Sequence, residues 1–267
     1  MKCEEYAVRA RRLNPIDDDF FKKMAEDVEF CQEIIRVILA NPTITVTELK
    51  PQDSIKNLQG RSVILDVRCI DENGHHFTVE IQKADDDNHQ RRVRYNASCV
   101  TANITDPGSK FENVPNLCTI YISKSDFLKK GKTMYHIDRV IRETEDVVDN
   151  GLSEIYVNAR IKDDSPASPL MTIFTKDDAY DDVNFPATSR RKRYFKEDQE
   201  GVSEMCEIMQ EIKNEGIAEG ISQGIAEGQR KLIMLQYHDG IISLPYAATY
   251  LNLSQEEFLA LEKDFEH

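Results

Sequence analysis

Two acidic residues on successive predicted strands carry the clearest chemical signal in this sequence. Asp66 lies in the apolar stretch 62–70, and Glu80 lies in the next alternating stretch, two positions before Gln82. Two carboxylates on adjacent strands can share one hard cation, since such ions prefer oxygen ligands. A cation at a phosphodiester activates a water and neutralises developing charge. The spacing therefore predicts metal-dependent chemistry on phosphodiesters, provided that both carboxylates lie on one face.

The turn between the two strands decides whether they do. A two-residue loop would place Asp66 opposite Ile81, and Glu80 would then point to the other side of the sheet. A three-residue loop at 72–74, with Gly74 in the left-handed conformation and a G1-type bulge, places Asp66 opposite Glu80. We predict the three-residue loop.

This register also makes predictions for the neighbouring side chains. Gln82 would lie on the Asp66 face, opposite Ile64, and Lys83 would point away from it. The alternative is that both acids occupy the solvent face of an amphipathic hairpin. Against that, Ile64 and Ile70 share the Asp66 face, and a carboxylate among apolar neighbours is costly unless it is paired or binds a metal.

Elements around the hairpin must position these residues. Apolar spacing predicts one helix from the aspartates at 17–19 to Ala40. Further along, the sequence patterns predict strands at 43–49, 62–70, 77–82 and 116–123, a helix at 86–102, and more β structure near 134–141 and 154–161. The order helix, three strands, helix, strand indicates a mixed α/β domain.

Composition limits the class of protein. The chain has 267 residues, a net charge of −14 and 40% hydrophobic residues, enough for one sizeable core. The charge argues against a surface that is basic throughout, although a local basic groove can still bind nucleic acid. The six cysteines form no C-x-x-C pair, and no apolar run approaches 18 residues. We therefore expect a cytoplasmic protein with reduced cysteines and no membrane span.

The chain divides by composition into four parts. We predict a core domain at 1–165, a polar linker with a basic cluster at 166–200, a helix with a Gly/Glu repeat at 201–230, and a small helical module at 231–267.

At these residues the chain resembles the recombination-promoting nuclease and transposase family (Rpn), a branch of the PD-(D/E)XK nuclease superfamily. The resemblance covers about residues 14–160 and rests on Asp18-x-x-Phe21-Lys22, Leu65-Asp66-Val67-Arg68, Val79-Glu80-Ile81-Gln82, Arg92-x-x-Tyr95 and the strand from Cys118 to Ser123. It implies a restriction-endonuclease-like mixed sheet core with an α-helical C-terminal extension.

The resemblance also implies roles for individual residues. Asp66 and Glu80 match the metal-binding acids, and the backbone carbonyl of Ile81 is a further candidate ligand, for Mg²⁺ or for Mn²⁺ or Ca²⁺. Gln82 stands where the superfamily has lysine, and its amide supplies no positive charge. Asp18 matches an N-terminal acid of the family, which either reaches the site or caps the first helix.

Basic residues at two places are candidates for nucleic-acid contact. Arg92 and Tyr95, three apart on one helix face, would contact phosphate or support Glu80, and a solvated face is the alternative. The cluster that contains Arg190, Arg191 and Arg193 would hold a DNA backbone, or it is part of a solvated linker.

The glycines at 216, 220, 224 and 228 follow a four-residue repeat. Each costs a helix roughly 1 kcal/mol relative to alanine, so the segment needs packing. Self-association as a homo-oligomer through 201–230 and a loosely helical linker are equally compatible with this pattern. The region after Gly240 is similar to a helix-turn-helix, but its second helix is acidic, which favours packing or protein contact over base readout.

Together these observations predict a divalent-metal-dependent endonuclease that hydrolyses double-stranded DNA in recombination or mobile-element biology. The alternative is a catalytically weak or inactive nuclease-fold module that binds DNA or protein, with the helical tail mediating association. A phosphoesterase for small molecules on the same scaffold is a third reading.

Overall fold

The computed structural model describes residues 7–57, 60–83 and 88–265. Its principal helices and strands, in chain order, are α1 Asp18–Met24, α2 Val28–Ile38, β1 Val46–Pro51, β2 Ser54–Ile55, β3 Val63–Ile64, β4 Val67–Asp71, β5 His76–Gln82, α3 His89–Ile104, β6 Leu117–Ser123, β7 Met134–Ile137, β8 Arg139–Val140, β9 Val147–Val148, β10 Leu152–Asn158, α4 Ala167–Thr175, α5 Pro186–Glu197, α6 Gln199–His238, α7 Leu244–Tyr250 and α8 Gln255–Phe265.

A mixed six-stranded sheet forms the centre of the first part of the chain. Its strand order is β1-β4-β5-β6-β10-β7. Strand β4 is antiparallel to β1 and β5, whereas β5, β6 and β10 run parallel. Every residue of β6 is buried, as expected for a strand covered on both faces. The predicted fold class, a mixed α/β core with a helical C-terminal region, is confirmed.

The first helix differs from the sequence prediction. In place of one helix to Ala40, α1 ends at Met24 and α2 begins at Val28. The carboxylate of Asp27 accepts hydrogen bonds from the backbone N–H groups of Glu29, at 2.8 Å, and Phe30, at 3.2 Å. Asp27 therefore caps a new helix, a local interaction that the continuous apolar stripe conceals.

The segment 166–200 is not the polar linker that we predicted. It contains α4 and α5, which bury Leu170, Phe174 and Phe195 completely. The chain forms two compact units that divide between Glu207 and Ile208, so both helices belong to the first unit. The polar composition of α5 misled the prediction, because much of the charge of this helix is buried or paired.

The second unit has its own small core, formed by Ile233, Met234, Ala247, Ala248 and Phe258. In α6, all residues from 211 to 232 are exposed. None of the helices in the described ranges is both long and apolar enough to cross a membrane.

Candidate metal and nucleic-acid site

The hairpin between β4 and β5 has the register that turn geometry predicts. Val67 lies opposite Val79, and the backbone N–H of Asp71 donates to the carbonyl of His75 over 3.0 Å. Gly74 has a φ of 75°, the left-handed conformation that the three-residue loop requires. The predicted loop and register are therefore confirmed, and Asp66, directly before β4, lies at the level of Glu80.

Asp66 occupies a break between two strands. The predicted strand 62–70 is divided into β3 and β4, and β3 pairs with β2, so that Ile64 lies opposite Ser54 and is 67% exposed. The predicted pairing of Gln82 with Ile64 is therefore wrong. The break leaves the Asp66 carboxylate free to accept a 2.7 Å hydrogen bond from the backbone N–H of Ile81.

Glu80 is held by a residue that the sequence analysis missed. The side-chain amide of Asn96 donates to both carboxylate oxygens of Glu80, at 3.0 and 2.8 Å. Asn96 is only 7% exposed and lies on α3, four residues after Arg92. Because residues four apart share a helix face, the spacing from Arg92 was a signal that could have found Asn96.

Both carboxylates are hard to ionise in this environment. Burial raises the pKa of Glu80 to about 7, against the lowering effect of the Asn96 hydrogen bond and with a further rise from the charge of Asp66. Burial likewise raises the pKa of Asp66 to about 6, opposed by the hydrogen bond from Ile81. Within the described residues, the hydrogen bonds to this pair come from neutral amides, so its negative charge is only partly compensated.

The two acids line a cavity of about 1150 Å³. The other predicted site residues that line it are Asp18, Ile81, Gln82, Arg92 and Tyr95. The structure thus brings together every candidate site residue that the hairpin, α1 and α3 contribute.

Asp18 lies in the first turn of α1, on the cavity, and forms a 2.6 Å ion pair with Lys22. It is inside the helix, and the N-cap position belongs to Asp17. The cap reading of Asp18 is therefore wrong. Lys83 lines the cavity and pairs with Asp17, which corrects the expectation that it points away.

Arg92 and Tyr95 have different partners. Nη1 of Arg92 donates to Oε1 of Gln82 over 2.5 Å. The hydroxyl of Tyr95 donates to the carbonyl of Arg61 at 2.5 Å and accepts from the side-chain amide of Asn57 at 3.1 Å. Glu80 takes its side-chain hydrogen bonds from Asn96 and not from these two residues, and Tyr95 instead fixes the wall of the cavity.

The three arginines of the basic cluster lie on α5, outside the cavity lining. Their partners are Glu29 for Arg190, the carbonyl of Lys23 and the ring of Phe195 for Arg191, and Asp182 for Arg193. The structure therefore directs these side chains to other parts of the fold and not to the acids, which corrects the view of this segment as a solvated basic linker.

The neighbouring Lys192 is completely buried. Its ammonium donates to the backbone carbonyls of Ile173, Lys176 and Ala179. Burial lowers its pKa to about 8. This lysine satisfies the C-terminal end of α4 and its following turn, where a cation also meets the negative end of the helix dipole.

The donor set fits a hard divalent cation. Such an ion is commonly bound through one or two carboxylates, with water and substrate phosphate completing its ligands. Asp66 and Glu80 supply the carboxylates, and the cavity leaves room for the rest. Within the described residues, no group of three or more His, Cys, Asp or Glu side chains is placed to hold a metal. The remaining ligands would therefore be oxygens other than side-chain carboxylates.

In a comparison with known protein families, residues 17–160 match the PD-(D/E)XK nuclease family transposases. Comparisons with curated proteins and with solved structures gave no match. The matched region begins beside Asp18 and includes the hairpin, α3, β6 and β10. PD-(D/E)XK nucleases generally use divalent metals, and a nuclease of this kind implies a DNA substrate. Since the match covers more than half of the chain, the protein belongs to the PD-(D/E)XK nuclease transposase family.

Proposed function

We propose that the protein is a divalent-metal-dependent endonuclease for double-stranded DNA that acts in recombination or in the movement of mobile elements. One observation carries this proposal. Asp66 and Glu80 lie at the same level of the hairpin, next to the Val67–Val79 pair, partly buried at a cavity of about 1150 Å³ and with hydrogen bonds from neutral amides. Such a pair loses stability by being charged unless a cation binds to it.

Asp66, Glu80 and the carbonyl of Ile81 would hold the ion, for which Mg²⁺ is our first choice and Mn²⁺ or Ca²⁺ the alternatives. When bound, the ion would supply Lewis-acid activation of water and neutralise charge on the phosphate. The chain itself orients the two acids. The N–H of Ile81 fixes Asp66, and the amide of Asn96 fixes both oxygens of Glu80.

Other side chains of the cavity would contact the substrate. Arg92 is exposed at the cavity and can meet a phosphate, and Tyr95 keeps the opposite wall in place. Asp18 lies close enough to raise the pKa of Asp66 by its charge, so its position fits a further acid of the site.

The test is cleavage of a plasmid by the purified protein with Mg²⁺, Mn²⁺ or Ca²⁺. We expect cleavage by the wild type, loss in Asp66→Ala and retention in Asp138→Ala, a matched variant at an exposed aspartate that does not line the cavity. Equal cleavage by Asp66→Ala would remove Asp66 from the mechanism. No cleavage with any of the three ions would favour the alternative, a nuclease-fold module that binds DNA or protein without cutting.

We also propose that α6 mediates self-association. Ile217, Ile221 and Ile225 are each at least half exposed, and the four glycines of the repeat have open space where a side chain would lie. A helix with this much exposed apolar surface and four glycines gains stability from a packing partner. Solution mass tests this, with Ile217→Glu/Ile221→Glu expected to shift an oligomer to monomer. A monomeric wild type would contradict the proposal.

A further inference from the structure

The cavity presents a problem of charge balance. Among the residues that the structure describes, three carboxylates line it, those of Asp18, Asp66 and Glu80, and Lys22 is already paired with Asp18. A divalent ion would offset the charge of Asp66 and Glu80 and leave little positive charge for the phosphate. Position 82, two residues after the second acid, carries a neutral glutamine instead of the lysine for which the family is named. One of the other cations that line the cavity, Arg61, Lys83, Arg91 or Arg92, is therefore needed to face the substrate.

Arg92 meets this need through Gln82. Its Nη1 donates to Oε1 of Gln82 over 2.5 Å, which brings a guanidinium from α3 to the side chain at position 82. A guanidinium carries five N–H donors, and this hydrogen bond uses one of them. Arg92 lines the cavity, and its charge lowers the pKa of both Asp66 and Glu80. The positive charge of Arg92 therefore stabilises the ionised forms of Asp66 and Glu80.

Side-chain lengths support an exchange between the two positions. A lysine side chain ends one bond, about 1.5 Å, beyond the point at which a glutamine side chain ends. A lysine at position 82 would therefore place its ammonium close to the present position of Arg92 Nη1. The same positive charge reaches the same place from α3 instead of from β5.

We propose that Gln82 is a positioning residue that holds Arg92 at the cavity, and that Arg92 delivers to the substrate phosphate the positive charge that position 82 lacks. This inference rests on the proposed nuclease function, since it assigns the cation of that same site. Under this proposal Gln82 has a role of its own in the site, and it is more than a replacement that has lost the charge of the lysine.

The decisive variant is Arg92→Met/Gln82→Lys, which returns the charge to β5. In single-turnover plasmid cleavage, Arg92→Met should lose roughly 10²-fold or more, the effect of removing one electrostatic contact to a transition state. The double variant should recover at least tenfold of that loss. The cleavage rate of Gln82→Ala should fall less than that of Arg92→Met, because the guanidinium of Arg92 remains but no longer has the hydrogen bond to position 82. Arg94→Met, on the same helix but outside the cavity lining, is the matched control and should behave as wild type.

Binding of a short DNA duplex in EDTA gives a second readout that needs no cleavage. Arg92→Met should weaken binding and reduce the slope of log affinity against log salt by about 1, as expected for one lost phosphate contact. The double variant should restore that slope. If the role of Arg92 were purely structural, a lysine on β5 would not rescue the Arg92→Met variant.

The outcomes separate the two proposals. If the wild type binds DNA but cuts with none of the ions, the nuclease function fails while the salt slopes still decide the role of Arg92. If Arg92→Met matches the wild type in both readouts, or if the double variant recovers neither, the assignment to Arg92 is wrong even when cleavage by the wild type is strong. A wild type that neither binds nor cuts DNA overturns both.

Discussion

Two groups of charged side chains lie in the first unit of the chain, and the fold treats them in opposite ways. On α5, Lys192 is buried with three carbonyl partners, and Arg193 is paired with Asp182. At the cavity, Asp66 and Glu80 are partly buried, and within the described residues their hydrogen-bond donors are neutral amides. The charged side chains of α5 are buried or paired within the fold. Those of the cavity remain available to a bound cation or substrate.

A high density of charged residues in a sequence does not by itself identify a functional site. The basic run on α5 is the strongest cluster of cations in the sequence, yet its members connect α5 to α1, α2 and α4. The acids of the cavity are only two residues on separate strands. What distinguishes them is that burial raises the pKa of both acids despite the opposing charge of Arg92, a perturbation that is common at active sites.

The largest expected effect is on catalysis. Glu80→Gln should reduce the rate of metal-dependent cleavage by roughly 10³-fold, because the variant removes a charged ligand while it keeps the shape of the side chain. Rates of plasmid cleavage measured with saturating metal test this. If Glu80→Gln cleaved plasmid at a rate within tenfold of the wild-type rate, the contrast between α5 and the cavity would fail. The negative charge of Glu80 would then not be needed for cleavage.

A buried cation of α5 should affect stability instead. Lys192→Met removes the donor for three backbone carbonyls and should lower the free energy of unfolding by about 3 kcal/mol. Chemical denaturation gives this value. Leu170→Ala, at a buried apolar position of α4, serves as a control for loss of packing alone. A Lys192→Met protein as stable as the wild type would show that the fold does not depend on this lysine.

The acids of the cavity should give the metal-free protein a characteristic pH dependence. The folded-state pKa of Glu80, about 7, is above the usual value of 4.5. The favourable contribution of its protonated form is thus complete below pH 4.5 and is lost as the pH rises through 7. Glu80→Gln, which cannot ionise, should therefore be more stable than the wild type at pH 8, by on the order of 2 kcal/mol, and the difference should shrink as the pH falls toward 4.5.

Thermal denaturation of the two proteins in EDTA across this pH range measures the difference. Added Mg²⁺ should raise the melting temperature of the wild type more than that of Glu80→Gln, because only the wild type keeps both acids. A constant gap between the two proteins from pH 5 to pH 8 would contradict the prediction.

The smallest effect is expected at the exposed edge of α5. Arg193→Met breaks the ion pair with Asp182, whose side chains are 39% and 62% exposed, and should cost less than about 1 kcal/mol. Its affinity for a DNA duplex should stay within twofold of the wild type. A loss comparable with that of Arg92→Met would show that the α5 arginines contact DNA after all.

Local geometry explains why the hairpin could be predicted. The loop at 72–74 and the left-handed Gly74 fix the register within a dozen residues, and the structure has that register. The same kind of reasoning failed for Ile64, because β3 leaves the hairpin to pair with β2. It also missed Asp27, whose capping hydrogen bonds divide a continuous apolar stripe into two helices.

Side-chain partners from distant parts of the chain could not be predicted in this way. Asn96 was not singled out, although it makes both hydrogen bonds to Glu80 across 16 positions of sequence. Lys83 was expected to point away and instead pairs with Asp17, 66 positions earlier. Amide and ammonium side chains are long and polar, so the strand parity that places a carboxylate does not fix where their ends lie.

The sequence by itself determined the family, the mixed α/β class and the alignment of Asp66 with Glu80, because motif spacing and turn parity are local properties. Only the tertiary structure decided which charges are available. Arg190 and Glu29 pair across 161 positions, and Lys192 is enclosed by carbonyls of another helix and its following turn. Burial and compensation of charge depend on such contacts, and they separate the acids of the cavity, which remain able to bind a cation, from the basic residues that the fold has already used.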